Sequence, residues 1–190
     1  MHALRSLTCS LVIAGLLAAC SETVATADGA AQNANASAAN ASSAREVVAS
    51  QSIPIKAPSA RYKGAIAIGE VTGFVSPGVF PGQFSPVTDD ETRRALTGLM
   101  RDTGYGPGNR YILSVRLAEP GNPTGATTMT ANALLEFTLR TADGRTIKTQ
   151  TLRSKSSVPF GASISGAARS KLAFALSLRN SAAKFLNGLG

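Results

Sequence analysis

The chain has 190 residues, enough for one domain of ordinary size with extra segments attached. Hydrophobic residues make up 44%, but aromatics only 5% and Trp is absent; this excludes an aromatic-rich core and leaves Leu, Ile, Val and Ala, with a few Phe, to fill it. The net charge of +8 is matched by residues 105–190 alone, where eleven Lys or Arg face three acids, Glu119, Glu136 and Asp143; such a surface suits anionic partners or is simply solvated.

Arg5 precedes an apolar run from Leu7 to Ala19, too short to span a bilayer, which takes ~20 residues. Residues 1–19 therefore read as a secretory signal. The run ends in Leu17-Ala18-Ala19-Cys20, an aliphatic residue, two small residues and a Cys. This pattern resembles the lipobox of bacterial lipoproteins. The resemblance implies a diacylglycerol on the Cys20 thiol, cleavage before Cys20 and an N-acyl chain on the new amine; no other cofactor is expected. Ser21 stands where Asp would favour inner-membrane retention, which implies an outer-membrane anchor with the domain facing the periplasm. Each buried methylene contributes ~0.8 kcal/mol, so two or three acyl chains hold permanently. Cys9 leaves with the signal, and Cys20 alone cannot form an intramolecular disulfide. Nucleic acid is not a partner in that compartment, and the oligomeric state is not legible.

From Ser21 to about Ala60 the chain is dominated by Ala, Ser, Asn and Thr, without periodicity. Such a composition buries too little surface to offset ordering entropy. The expected organisation is a signal at 1–19, a lipidated Cys and disordered tether at 20–60, and one folded periplasmic domain at 61–190.

Ala65 to Val71 is apolar on both alternating faces, which predicts a strand in the middle of a sheet. Thr72 to Val87 is broken by repeated Gly and Pro and holds Phe74, Phe80 and Phe84; a loop of this length is a candidate contact surface, the alternative being that the rings cover an open core edge. Thr88-x-x-Glu91 is a capping box opening a helix to about Asp102, with Ala95, Leu96, Leu99 and Met100 as its buried stripe. Asp89, Asp90 and Glu91 at that helix start would repel a phosphate.

Tyr111, Leu113, Val115 and Leu117 predict a strand with one apolar face, and Met129, Ala131, Ala133, Leu135, Phe137 and Leu139 a second. Asp143-Gly144 closes a hairpin. A three-residue Ala142-Asp143-Gly144 loop with Gly144 left-handed sets Ile147 opposite Leu139 and keeps Lys148 and Gln150 off the core face. Thr146 to Arg153 is polar enough for an edge strand, and Ser154 to Ser163 reads as a loop. Ile164, Ala168, Ala175, Leu178, Ala182, Phe185, Leu186 and Leu189 share one helical face, on which Lys171 intrudes; Asn180, Lys184 and Asn187 lie opposite.

The expected fold is an α/β (α+β) two-layer sandwich, strand-helix-strand-strand-strand-helix, with a four-stranded mixed sheet and both helices on one face. Its outer sheet face would be polar and basic, bearing Arg116, Arg140 and Lys148. From Leu96 to Leu186 the element order, the Gly104-Tyr105 turn before a Gly-Pro pair, and the last helix after Val158-Pro159-Phe160-Gly161 resemble the YajG-type family of outer-membrane lipoproteins. That resemblance carries over no catalytic residues. It implies partner binding, with an accessory role in lipid transport as the alternative.

His2 is the only His and departs with the signal, so His triads, Cys nucleophiles and His or Cys metal sites are excluded from the folded part. Ser181-Ala182-Ala183-Lys184 lacks the companion motifs of a Ser-Lys enzyme. Only carboxylates remain, Glu70 with Glu119 or Asp102, and nothing in their spacing asks for hydrolysis. The expectation is a non-catalytic adaptor, bound to its membrane by lipid and to an envelope protein or anionic envelope polymer through the Phe74, Phe80 and Phe84 loop or through Arg116, Arg140 and Lys148.

Overall fold

The computed structural model describes residues 41–74, 86–121, 123–125, 127–162 and 165–190. The elements run α1 (41–51), β1 (Ile66–Thr72), α2 (Asp89–Asp102), β2 (Tyr111–Glu119), β3 (Thr128–Thr141), β4 (Thr146–Pro159), a 3-10 turn (Phe160–Ala162) and α3 (Gly166–Asn187). The strands lie in the order β1-β2-β3-β4, with β1 parallel to β2 and the other pairs antiparallel. A parallel pair needs a crossover, and α2 supplies it.

The core follows from strand alternation. Leu113, Val115 and Leu117 pair with Leu139, Phe137 and Leu135, and directly opposite residues share a face. All six are buried. Phe137 stacks on Phe185 of α3 with ring centroids 5.2 Å apart. In front of α2, Phe74 meets Phe174 edge-on at 6.2 Å.

The capping box forms as the sequence predicts: Glu91 N donates to Thr88 Oγ1 and Thr88 N donates to Glu91 Oε2. The second oxygen of Glu91 accepts from Lys171 Nζ at 2.7 Å, so Lys171 ties α3 to the start of α2. Tyr105 is buried behind the α2 terminus and its hydroxyl donates to the Leu186 carbonyl at 3.2 Å. Burial raises the pKa of this phenol.

Four expectations are corrected. The first strand is an edge, not a central strand. Its apolar character on both faces comes partly from small residues: a Cβ at Gly69 would lie 2.5 Å from Ile112 Cγ2. Its free edge is capped by α2, where Arg93 Nη1 donates to the Gly69 carbonyl at 2.9 Å.

The hairpin loop has three residues, with Thr141 N donating to Arg145 O and Gly144 at φ +89°. A shift between Leu139 and Arg140 then moves the pairing by one, so Leu139 faces Lys148 and Phe137 faces Gln150. β4 also continues through Ser154 to Pro159, where a loop was expected.

Finally, residues 41–60 do not belong to an unstructured tether. Ala44, Val47 and Val48 fall at i, i+3 and i+4 on α1, and this short stripe packs against the core. The ordered domain thus begins by residue 41 rather than at 61.

Two outcomes are expected. Phe137→Ala should cost about 3–5 kcal/mol in urea unfolding, because it empties a site against Phe185. Burial raises the Glu91 pKa, but hydrogen bonds from Lys171 and Thr88 outweigh it and hold the value below the usual 4.5. Its contribution is therefore complete above pH 4.5 and is lost as pH falls through the lower folded value. Glu91→Gln should flatten the stability profile in that acid range, as read by thermal melts.

Candidate functional site

The sheet leaves one face open, and two of the predicted contact residues stand on it. Arg116 is opposite Glu136 and pairs with it at 2.9 Å. Arg140, between Ile112 and Thr146, is exposed. The alternation of β4 adds Arg153 and Lys155, which the sequence reading assigned to no surface. Arg153 pairs with Glu119, reaching across Leu134 of β3 from one flanking strand to the other. Four cations and two carboxylates therefore share this face, and both carboxylates are engaged by arginines. The surface is mixed in charge rather than uniformly basic, and exposed pairs of this kind contribute little to stability.

Lys148 is not on this face. Facing Leu139, it lies on the helix side, where Nζ donates to Gly188 O at 2.7 Å and sits 5.3 Å from the Phe185 ring centroid. The carbonyl-rich end of α3 accommodates the charge that the predicted register was meant to exclude. Phe74 is buried in the core and belongs to no contact surface; its N–H donates to Asp89 Oδ1 at 2.7 Å. Phe80, Phe84 and Cys20 lie outside the described residues.

The carboxylates considered for catalysis are not brought together as a visible pair. Glu119 is engaged by Arg153, Asp102 by Arg101, and Glu70 is exposed on β1. Among the described residues no three His, Cys, Asp or Glu side chains gather as a metal site.

A second surface comes from residues read as solvent-facing. Asn180 and Asn187 stand seven apart on α3, two turns along the same face, and residues 51–56 lie over them. Asn180 accepts from Ile53 N at 2.9 Å and donates to Gln51 O at 2.9 Å. Asn187 accepts from Lys56 N at 2.8 Å and donates to Pro54 O at 2.9 Å. Arg179 adds a bond to Ile53 O.

The geometry is self-consistent. Seven residues of helix rise ~10.5 Å, and three residues of polyproline II rise ~9.3 Å. The amides accordingly bracket Ser52 and Ile55, three residues apart. Pro54 and Pro58 favour this extended form.

Gln51 continues the pattern onto the β4 edge. Its side-chain amide accepts from Ser157 N at 3.0 Å and donates to Ser157 O, completing an otherwise open strand edge. Below residues 51–56, which form a strap over α3, the interface between β4 and α3 is polar: Ser154, Ser156, Ser177, Asn180 and Ser181 are all buried. Ser177 donates to Ser154 O, and Lys184 Nζ to Arg153 O at 3.0 Å. The available sequence signal was the pair of Asn at helical spacing together with an upstream Pro-rich stretch; neither names the other as its partner.

No family model matches the chain, and no curated protein matches it. Solved structures with a distant likeness include two. One is a Xanthomonas campestris protein of the DUF330 family, 13% identical, with a TM-score of 0.43, covering 72% of this chain and 91% of that one. The other is a candidate lipoprotein of Caulobacter crescentus CB15, 15% identical, with a TM-score of 0.36, covering 53% of this chain and 83% of that one. Likeness at this distance transfers no function.

The two faces predict different responses to mutation. Lys148→Met should destabilise by about 1 kcal/mol through the lost bond to Gly188 O, whereas Arg140→Met should stay within about 0.5 kcal/mol. Paired denaturant titrations would separate them, and equal effects would contradict the observed register.

Proposed function

We propose that this chain is a lipid-anchored lipoprotein of the bacterial cell envelope, of the YajG type, whose domain is a non-catalytic binding module. The observation that carries this reading is Leu17-Ala18-Ala19-Cys20 at the end of an apolar segment too short to cross a bilayer. In agreement, no helix among the described residues is long and apolar enough to cross a membrane. The anchor is a diacylglycerol and an N-acyl chain on Cys20. Ser21 directs it to the outer membrane, with the domain facing the periplasm.

The first described element, α1, begins at residue 41, so twenty residues of sequence lie between it and Cys20. Twenty residues reach no more than ~70 Å even when fully extended. A binding module held this closely meets partners in or near its own membrane, an envelope protein before a distant polymer. Its contact residues are those exposed on the open sheet face, Arg116 and Arg140 together with Arg153 and Lys155.

Cys20→Ser should move the intact protein from the membrane pellet to the soluble fraction in cell fractionation. A variant that stays with the membrane would overturn the anchor. Reversing Arg140 and Lys155 to Glu should reduce recovery of in-cell crosslinked partners while leaving the melting temperature unchanged.

A further inference from the structure

The strap over α3 is held in an unusual way for a segment of a folded core. The five bonds from Asn180, Asn187 and Arg179 end on backbone N–H or C=O groups of residues 51–56. The Tyr105 hydroxyl, whose proton goes to Leu186 O, also lies 3.4 Å from Lys56 O. On the body side, Gln51 likewise meets only the backbone of Ser157. Recognition through the main chain places few demands on the side chains of what is bound. The receiving surface therefore fits an extended polypeptide in general, as edge-strand binding does.

The strap is also weakly tied by apolar contacts. Together with α1, which leads into it, it contributes Ala44, Val47, Val48 and Ile55 to the core, of which only Ala44 is fully buried, and no Leu, Met or aromatic side chain lies between 41 and 58. The sandwich beneath is closed by Leu, Phe and Met side chains that the strap does not supply. Segments with few buried apolar contacts open at lower cost than the global fold. Opening would expose the Asn180 amide with its serine neighbours and the free edge of β4 at Ser157, beside the small apolar area that Ala44, Val47, Val48 and Ile55 cover.

We propose that residues 41–58 are a releasable clasp, and that the α3–β4 surface under them docks an extended segment of a partner protein, read through its backbone by Asn180, Asn187 and Arg179, with a side-chain amide at its start meeting the Ser157 edge. This rests on the binding-module reading and names its partner class. The clasp is an intramolecular competitor for the site, so a partner gains apparent affinity whenever the clasp is weakened. Release also lengthens the link between Cys20 and β1, so the open form reaches farther from its anchor.

The test uses the full chain in mild detergent and a fluorescent peptide with the sequence of residues 48–58, followed by anisotropy. Gln51→Ala loosens the clasp without touching the receiving side chains, and peptide binding should tighten about tenfold. In that background Asn180→Ala with Asn187→Ala should abolish binding. A peptide that keeps Gln51 and the prolines in place but has the other residues shuffled should bind within about threefold, as backbone recognition requires.

Equal affinity in the parent and Gln51→Ala chains would overturn the proposal, as would binding that survives loss of both Asn residues or fails for the shuffled peptide. If the double Asn variant does not fold by circular dichroism, the Gln51→Ala and shuffled-peptide results decide. Dimerisation of Gln51→Ala by light scattering would assign the surface to a second copy and likewise overturn a separate partner. None of these readings involves Cys20, so the clasp and the lipid anchor stand or fall separately.

Discussion

The structure depends on one apolar contact layer, the inward row of β3, flanked by that of β2, pressed against α3. Ala131, Ala133, Leu135, Phe137 and Leu139 are fully buried there, and Phe185 stacks on Phe137. The described residues contain no Cys, so no covalent link assists this layer. Its stability must come from area and fit. The three aromatic side chains at its centre, Phe137, Phe174 and Phe185, supply much of that area in a chain otherwise poor in rings.

Around this layer the fold closes by local polar devices whose roles are positional. Glu91 serves both its helix cap and Lys171 of α3; Tyr105 ties the turn after α2 to the Leu186 carbonyl; Lys148 finishes the end of α3. Each takes a charge or donor that looks misplaced on an apolar face and gives it a carbonyl or carboxylate at the rim. The strap differs in kind, because its amide contacts form a repeated pattern along a helix rather than a single closure. Where the rest of the domain excludes water with apolar volume, this seam is built from serines and asparagines, which is the property expected of a surface that exchanges partners.

The open sheet face shows why charge counts alone do not define a site. The excess of Lys and Arg in residues 105–190 is evident from composition. Strand alternation and pairing distribute it: Arg116 and Arg153 are engaged by Glu136 and Glu119, Lys148 is turned to the helices, and Arg140 and Lys155 remain exposed. The candidate contact set changes accordingly, and Phe74 leaves it for the core.

By itself the sequence determined the parts that rest on local periodicity and capping: the two-layer α+β sandwich, the inward rows of β2 and β3, the Thr88–Glu91 box, and the three-residue loop at Gly144. These depend on residues a few positions apart, and their physics is complete within a short window. The tertiary structure decided what depends on distant partners. The bulge that sets Lys148 against Leu139 is tolerable only because the α3 terminus lies within reach. The edge position of β1 follows from the sheet order, which no single strand encodes. Residues 51–56 are placed because Asn180 and Asn187, more than a hundred positions away, satisfy their backbone, and α1 before them is seated by Ala44, Val47 and Val48 against the core.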